Sequence, residues 1–337
     1  KLYAFLSLLV AFAFLCGSPG FTAGQTYSGS SIVSPGYVAR RQALGRALAW
    51  LRTQQQADGG FGSGSTTADA VYAIAVAGQN PASESWSTNG ISALDALANI
   101  ASVYARNDAG QVGKVLRAVI AAHADPTDFG GVDLIATLQG LYDTNTGWYH
   151  SGSLFRHALA VEGLAMAGVG VPNAAIEAIL SEQKPTGGWG WPIGGTSEDV
   201  DTTGRVLTTL RVAGLPITHT AFLSATTRLT ALQGADGGWP AYPGATFSNA
   251  NSTALAIHGL LAAGINPQAA PFVSSSHSPL AALLSFQEGS GAFAYSRDWS
   301  ESRLLATLDA IPVLAAFFPD DPVLNEQRFL PLLVQAM

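Results

Sequence analysis

Acidic side chains cluster in the middle of the chain, where residues 198–201 read Glu-Asp-Val-Asp. Two carboxyl groups that face one groove are the signature of glycoside-cleaving enzymes. Asp298 and Glu301 form a second acidic pair, at the start of a later predicted helix. The acids therefore permit a polysaccharide-acting enzyme, although acids at helix N-termini also stabilise the helix dipole without any catalysis.

Helix capping is a second interpretation of the same positions. Counting back thirteen residues from the Ala-Gly pairs that end three predicted helices gives Asp201, Asn251 and Ser65. Asp, Asn and Ser are preferred N-cap residues, because their side chains accept hydrogen bonds from free backbone N–H groups. The spacing predicts that all three cap their helices.

Metal chemistry has little support in the sequence. The single cysteine, Cys16, lies in the apolar N-terminal run, and the six histidines include no pair at the i, i+4 spacing of a helical metal site. We therefore predict no metal and no cofactor.

The composition predicts a folded chain that does not bind nucleic acid. Hydrophobic residues make up 48% and charged residues 12%, against a typical charged share of about 25%. The net charge is −7, and Lys and Arg form no cluster that would neutralise phosphates.

The first residues resemble a secretory leader. Lys1 precedes an apolar run over residues 2–15, and a Gly/Ser/Pro-rich stretch follows. The run is shorter than the ~20 residues of a membrane-spanning helix. We predict a signal peptide over 1–24, a flexible segment over 25–37, one domain over 38–337, a secreted or cell-surface location, and membrane contact only through the leader.

A repeated phrase, Gln-x3-Gly-x-aromatic, indicates the architecture. It starts at Gln55, Gln183, Gln233 and Gln287, and degenerate copies at Gly147 and Gly110 complete six units. In each unit the phrase follows an apolar helix and precedes an Ala-rich helix that ends near Gly and Pro. The units predict six helical hairpins, or about twelve helices.

Small side chains favour an inner position for the Ala-rich helices, because close backbone approach needs little volume. The Gln-bearing helices would form an outer layer, and Pro322–Gln335 an extra helix across the end. This is an all-α, α/α toroid. Ligand contacts are expected at the N-termini of the inner helices, and the candidate residues are Trp191, Tyr242, Asn251 and Asp298.

The phrase, with Leu or Ile four residues before Gln, resembles the repeat of the prenyltransferase and squalene oxidase/cyclase superfamily over about residues 40–317. The resemblance implies an α/α toroid with a central cavity, a fold shared by terpene cyclases, protein prenyltransferases, cobalamin carriers and thioester domains. Protein prenyl transfer requires a zinc-binding cysteine, which the mature chain lacks. The leader and single toroid are most similar to secreted bacterial members related to cobalamin carriers.

The segment 199–202, Asp-Val-Asp-Thr, resembles the Asp-x-Asp-Asp motif of class II terpene cyclases. In those enzymes the middle Asp, which matches Asp201, donates a proton to an alkene or epoxide. Thr202 departs from the motif. This alternative makes Asp201 and Asp199 catalytic, and it requires a closed apolar cavity of several hundred Å³.

The main expectation is a non-catalytic binding module. Its partner would be an apolar, amphipathic or corrinoid-like small molecule, or another surface protein. The class II cyclase is the alternative, and a polysaccharide-acting enzyme is a third possibility.

Overall fold

The computed structural model describes residues 35–274, 277–299, 301–319 and 321. The predicted signal peptide 1–24, most of the predicted flexible segment 25–37 and the predicted helix Pro322–Gln335 lie outside the described residues.

Helices dominate the described chain. A 3₁₀ turn at Glu84–Trp86 precedes a two-stranded antiparallel hairpin, β1 (Ser87–Thr88) and β2 (Ile91–Ser92). The twelve described α-helices are α1 (Pro35–Thr53), α2 (Gly64–Val76), α3 (Ala93–Tyr104), α4 (Ala109–Ala121), α5 (Leu134–Gly140), α6 (Leu154–Met166), α7 (Asn173–Ser181), α8 (Val200–Val212), α9 (Thr220–Leu232), α10 (Ala250–Ala262), α11 (Pro279–Ser285) and α12 (Arg303–Ala315).

The even-numbered helices form a closed inner ring. Each packs against the next from α2 to α12, and α12 packs against α2. The odd-numbered helices pack outside them, and α1 contacts both α11 and α12. The predicted all-α, α/α toroid of six helical hairpins is therefore confirmed.

Glycines let the inner helices approach closely. Gly204 on α8 faces Gly259 on α10, and a Cβ at Gly204 would overlap the backbone of Leu255. Gly113 on α4 and Gly163 on α6 make the equivalent contact. The small residues of these helices thus allow the helix backbones to approach closely, as the sequence predicted.

The repeated glutamine joins neighbouring hairpins. Gln183 Nε2 donates to the Gly187 carbonyl (2.9 Å) in its own turn and to the Ala221 carbonyl (3.0 Å) on the next outer helix. Gln287 makes the same double contact with Gly291 and with Ala43 on α1. Gln55 and Gln233 also bridge their own turns to the next unit, but their second acceptors, the Trp86 and Phe272 carbonyls, lie just before the next outer helix. Because Gln287 reaches Ala43 on α1, this contact closes the ring.

The repeated aromatic residue anchors each turn. Trp189 is fully buried; its backbone N–H donates to Thr203 Oγ1 (2.9 Å), and its indole N–H donates to the Ile179 carbonyl (2.9 Å). Trp239 repeats both contacts with Thr253 and Leu229. The aromatic residues of the phrase are therefore structural.

Histidine replaces the threonine in the third hairpin. The Tyr149 N–H donates to His157 Nδ1 (3.0 Å), and His157 Nε2 lies 3.0 Å from the Ala175 carbonyl on the next outer helix. Burial lowers the pKa of His157 to about 4, so the ring is neutral and suited to this double contact.

One local prediction was wrong. Gly110 does not form a turn; it is the second residue of α4 and packs against Arg156. Helix α1 begins at Pro35, so it includes the last three residues of the segment 25–37 that was predicted to be flexible; proline is compatible with the first turn of a helix.

Substitution of a repeat glycine should destabilise the fold for two reasons: its left-handed backbone conformation and its close approach to a neighbouring element. Gly187 (φ +102°) would place a Cβ on the Ser224 carbonyl, whereas Gly194 (φ +70°) faces open space. We expect Gly194→Ala to cost about 1 kcal/mol from the left-handed conformation. Gly187→Ala should cost at least about 1–3 kcal/mol more from overpacking. Urea unfolding of both variants measures the difference, and equal losses would contradict the close-approach role.

Candidate active site at the mouth of the inner ring

The N-cap of α8 is Asp199, two residues before the predicted cap. Asp199 Oδ1 accepts the Thr202 N–H (2.6 Å), and Asp199 Oδ2 accepts the Thr202 hydroxyl (3.0 Å) and the Trp191 N–H (3.0 Å). Burial is the main cause that raises the pKa of Asp199, and these hydrogen bonds oppose it. With both oxygens engaged, Asp199 holds the helix start and the loop that carries Trp191.

The same shift applies to the equivalent helices, where Asn249 and Ser63 are the caps in place of Asn251 and Ser65. The physical reason is helix length. Each of these helices has thirteen residues followed by a C-cap alanine and a glycine, so the cap lies fifteen residues before the glycine. The capping prediction for Asp201, Asn251 and Ser65 was therefore wrong.

Asp201 is the second residue of α8 and extends toward the neighbouring inner helix. Its Oδ1 accepts the Ser252 hydroxyl from α10 at 2.5 Å. Burial is the first cause that raises the pKa of Asp201 to about 7; the charges of Asp199 and Asp309 contribute to this rise, and the Ser252 hydrogen bond and Arg205 oppose it. Asp201 is thus a partly buried carboxyl group that holds a proton near neutral pH.

A second such carboxyl group lies on α12. Asp309 Oδ2 accepts the Asn251 side-chain N–H at 2.6 Å. Burial is the first cause that raises the pKa of Asp309 to about 6, and the Asp69 charge adds to it. Asn251, predicted as a ligand contact, is buried, and its Oδ1 has no hydrogen-bond partner among the described residues. Asn251 instead joins α10 to α12.

The N-termini of the inner helices form the mouth of the ring. Below this mouth, ionic contacts join neighbouring inner helices. Lys114 Nζ lies 2.7 Å from Asp69, and Glu162 lies 2.9 Å from Arg117 and 3.2 Å from Arg205. His258 Nδ1 lies 3.1 Å from Thr208 Oγ1, and burial lowers the pKa of His258 to about 4. Side chains thus link every consecutive pair of inner helices from α2 to α12.

Toward the C-terminal ends of the inner helices lies a pocket of about 50 Å³, lined by Met166, Val212 and Pro312 and by Glu162 and His258 of this network. Small-molecule sites usually measure about 300–1,000 Å³. This pocket is therefore smaller than the apolar cavity that the cyclase alternative was expected to require.

Aromatic residues surround the mouth. The Trp191 carbonyl accepts the first N–H of α6 (2.8 Å), and the Tyr295 carbonyl accepts the first N–H of α10 (2.8 Å). Tyr242 follows Ala241, whose carbonyl accepts the Val200 N–H at the start of α8 (3.0 Å). Trp191 and Tyr242 are 59% and 58% exposed, so both predicted contact residues are available to a ligand.

Asp298 does not open the sixth inner helix. That helix begins at Arg303, and Asp298 is exposed on the preceding loop. The predicted pair of Asp298 with Glu301 is therefore absent from the helix start, because four residues lie between Asp298 and the helix.

The sequence analysis missed Asp309 and the Glu162 network. A signal for them exists: Ser65, Asp69 and Tyr72 follow a 4+3 spacing along one face of α2, and Asp201, Arg205 and Thr208 follow the same spacing on α8. Polar residues at this spacing in Ala-rich helices indicate a polar ring interior.

Two further properties concern the described residues only. They contain no group of three or more His, Cys, Asp or Glu side chains arranged to hold a metal ion. Within the same ranges, no helix combines the length and the apolar character needed to cross a membrane.

Comparisons with known proteins agree on the fold. The type II terpene cyclase MstE from Scytonema, solved with geranylgeranyl dihydroxybenzoate as substrate, has a TM-score of 0.63 at 14% identity, over 83% of this chain and 98% of MstE. A glycosidase E178A variant has a TM-score of 0.55 at 12% identity, over 85% of this chain and 98% of the other. At these identities the likeness shows the toroid fold alone.

Sequence similarity is shorter. Drimenyl diphosphate synthase from Streptantibioticus cattleyicolor is 36% identical over 91 residues, which are 27% of this chain and 17% of that protein. The match thus spans about a sixth of this relative. No protein-family model matches the chain.

The raised pKa of Asp201 should appear in the pH dependence of stability. A carboxyl group with a raised folded-state pKa destabilises the fold increasingly from pH 4 to pH 7, because the unfolded chain ionises first. Asp201→Asn should therefore be stabilised relative to the wild type at pH 8 but hardly at pH 4. A rise from 3.8 to about 7 sets an upper limit of about 4 kcal/mol, reduced by solvent screening.

Urea unfolding at both pH values measures this difference. Glu177→Gln, which neutralises an exposed acid on α7, is the control and should follow the wild type. An Asp201→Asn effect of equal size at pH 4 and pH 8 would refute the raised pKa.

The cap assignment predicts a different outcome for Asp199. Asp199→Ala should lower the free energy of unfolding by about 1–2 kcal/mol, because it leaves the Thr202 N–H without its acceptor. Asp199→Ser should restore part of the loss, as measured by urea unfolding. Wild-type stability of Asp199→Ala would show that Asp199 is not the cap.

Proposed function

We propose that this chain is an acid catalyst of the class II terpene-cyclase type, in which the Asp201 carboxyl group donates a proton to an alkene or epoxide of an isoprenoid substrate. The observation that carries the proposal is the position of Asp201. Its carboxyl group reaches across to Ser252 while Asp199 caps the helix, so Asp201 has no capping role to explain it.

Protonation chemistry suits this carboxyl group. A general acid must hold its proton at the working pH and release it to the substrate. Burial keeps Asp201 protonated up to about pH 7. Ser252 donates to one oxygen, which stabilises the carboxylate left after transfer.

The comparisons support this function over the non-catalytic binding module. MstE and drimenyl diphosphate synthase both bear the names of isoprenoid-converting enzymes, one similar in fold and the other over a short segment. The chain shares the first three positions of the Asp-x-Asp-Asp motif with class II cyclases, and Thr202 replaces the last acid. Asp309, on a facing inner helix, is a candidate for the missing second acid.

The polar interior constrains where the substrate lies. Because ionic contacts join the inner helices below Asp201 and the pocket beside them is small, we place the substrate above the ring mouth, with only its reacting end at Asp201. Burial raises the pKa of Tyr295, and the nearby Asp201 charge adds to this rise. The Tyr295 ring, with Tyr242 nearby, is suited to stabilise a carbocation through the π face.

The reaction balances without a cofactor. The Asp201 O–H bond breaks, the proton adds to one carbon of the terminal alkene or to the epoxide oxygen, and a carbocation forms. Attack by a second alkene closes a ring, and loss of another proton gives an isomer of the substrate. Solvent then returns a proton to Asp201.

Isotope labelling tests the proton donor. We expect the wild type to convert geranylgeranyl dihydroxybenzoate or geranylgeranyl diphosphate, in D₂O, to a cyclic isomer that carries one deuterium. Asp201→Asn should lower turnover roughly 100- to 10,000-fold, and wild-type turnover should fall as pH rises through 7. Liquid chromatography with mass spectrometry measures product and label.

Glu177→Gln is again the control and should retain wild-type turnover. Unchanged turnover in Asp201→Asn would exclude this residue as the acid. Binding of both probes to the wild type without conversion would instead support the binding module.

A further inference from the structure

A surface cleft between the fifth and sixth hairpins has the form of a ligand site. We infer that it binds a neutral oligosaccharide. The cleft measures about 520 Å³, within the usual range of ligand sites. Its wall includes Asp236, Phe247, Arg297, Asp298 and Trp299.

One wall presents aromatic rings. Phe247 and Trp299 are each 51% exposed. Both pack against Tyr295 in edge-to-face geometry, with ring centroids 6.5 Å and 5.4 Å from it and interplanar angles of 80° and 73°. Grouped exposed aromatics mark a binding surface, and shared packing on Tyr295 fixes their orientation.

The cleft lining also presents polar groups that are held by contacts with one another. Asp236 Oδ1 accepts the Ser248 hydroxyl (2.8 Å) and the Gly238 N–H (3.1 Å), and Oδ2 lies 3.3 Å from Arg297 Nη2. Arg297 also donates to the Ser285 hydroxyl (3.1 Å). Carboxylate and guanidinium groups each offer two parallel hydrogen-bonding positions, which match adjacent hydroxyl groups.

The charges select the ligand class. Arg297 is the cation of the cleft, and Asp236 already pairs with it, while Asp298 adds a negative charge. The cleft therefore has no net positive charge that would attract a phosphate or carboxylate. A pyranose ring has apolar faces and hydroxyl groups along its edge. Its faces can pack on the aromatic rings of the cleft while its hydroxyl groups form hydrogen bonds with the polar groups.

This inference does not rest on the proposed function. The cleft is built by the loops before α10 and α12, and Asp201 is not among its lining residues. The test of the cleft can therefore fail while the acid catalyst stands, and the reverse also holds.

Binding to defined sugars tests the inference. Isothermal titration calorimetry of the full chain with cellotetraose, xylotetraose, maltotetraose and chitotetraose, at millimolar concentration, should detect at least one complex. Trp299→Ala should weaken it about tenfold, as expected for loss of one aromatic contact. Asp236→Asn should also weaken it, because the Arg297 pair is lost.

Phe317→Ala is the matched control, because Phe317 is 52% exposed but lies outside the cleft lining; it should bind as the wild type does. Circular dichroism of each variant checks the fold. The inference is overturned if none of the four sugars binds, if Phe317→Ala weakens binding as much as Trp299→Ala does, or if choline competes with the sugar, which would indicate a cation site.

Discussion

Closure of the ring depends on one repeated contact, the glutamine side-chain amide that bridges its own turn and a backbone carbonyl on, or just before, the next outer helix. Each hairpin alone would leave an apolar face in water, and only the neighbouring hairpins cover it. Gln287 makes this bridge to Ala43, and so joins elements 244 residues apart. Each of these turns also needs its glycine, because a Cβ at that position would overlap a backbone carbonyl of the neighbouring segment.

The closed ring creates the electrostatics of its interior. Six inner helices direct one face each toward a common axis, where water is restricted. Glu162 is stable there because Arg117 and Arg205 surround it, and an unpaired buried charge would be costly. Asp201 and Asp309 have hydroxyl or amide partners but no direct cation, so burial favours their protonated forms. Carboxyl groups with raised pKa values thus result from burial in the folded ring.

The position of the cap decides how Asp201 is interpreted. An Asp that caps its own helix needs no function, and the sequence favoured that role. With Asp199 as the cap, capping no longer explains Asp201, whose carboxyl group instead contacts Ser252 on α10. The pocket at the C-terminal ends of the inner helices is too small to hold an isoprenoid chain, which is why the proposed substrate lies over the mouth of the ring.

Sequence alone determined the toroid, because the Gln-x3-Gly-x-aromatic phrase encodes local turns and contacts that recur at each hairpin. It also identified Asp201, Trp191 and Tyr242, which lie near inner-helix starts. Only the tertiary structure decided which Asp caps α8, since a two-residue difference in helix length moves the cap without changing the pattern. The partners of Asp201 and the role of Asp309 likewise required the fold. Ser252 and Asn251 reach these two residues from a neighbouring helix, and residue spacing within one helix does not predict contacts between helices.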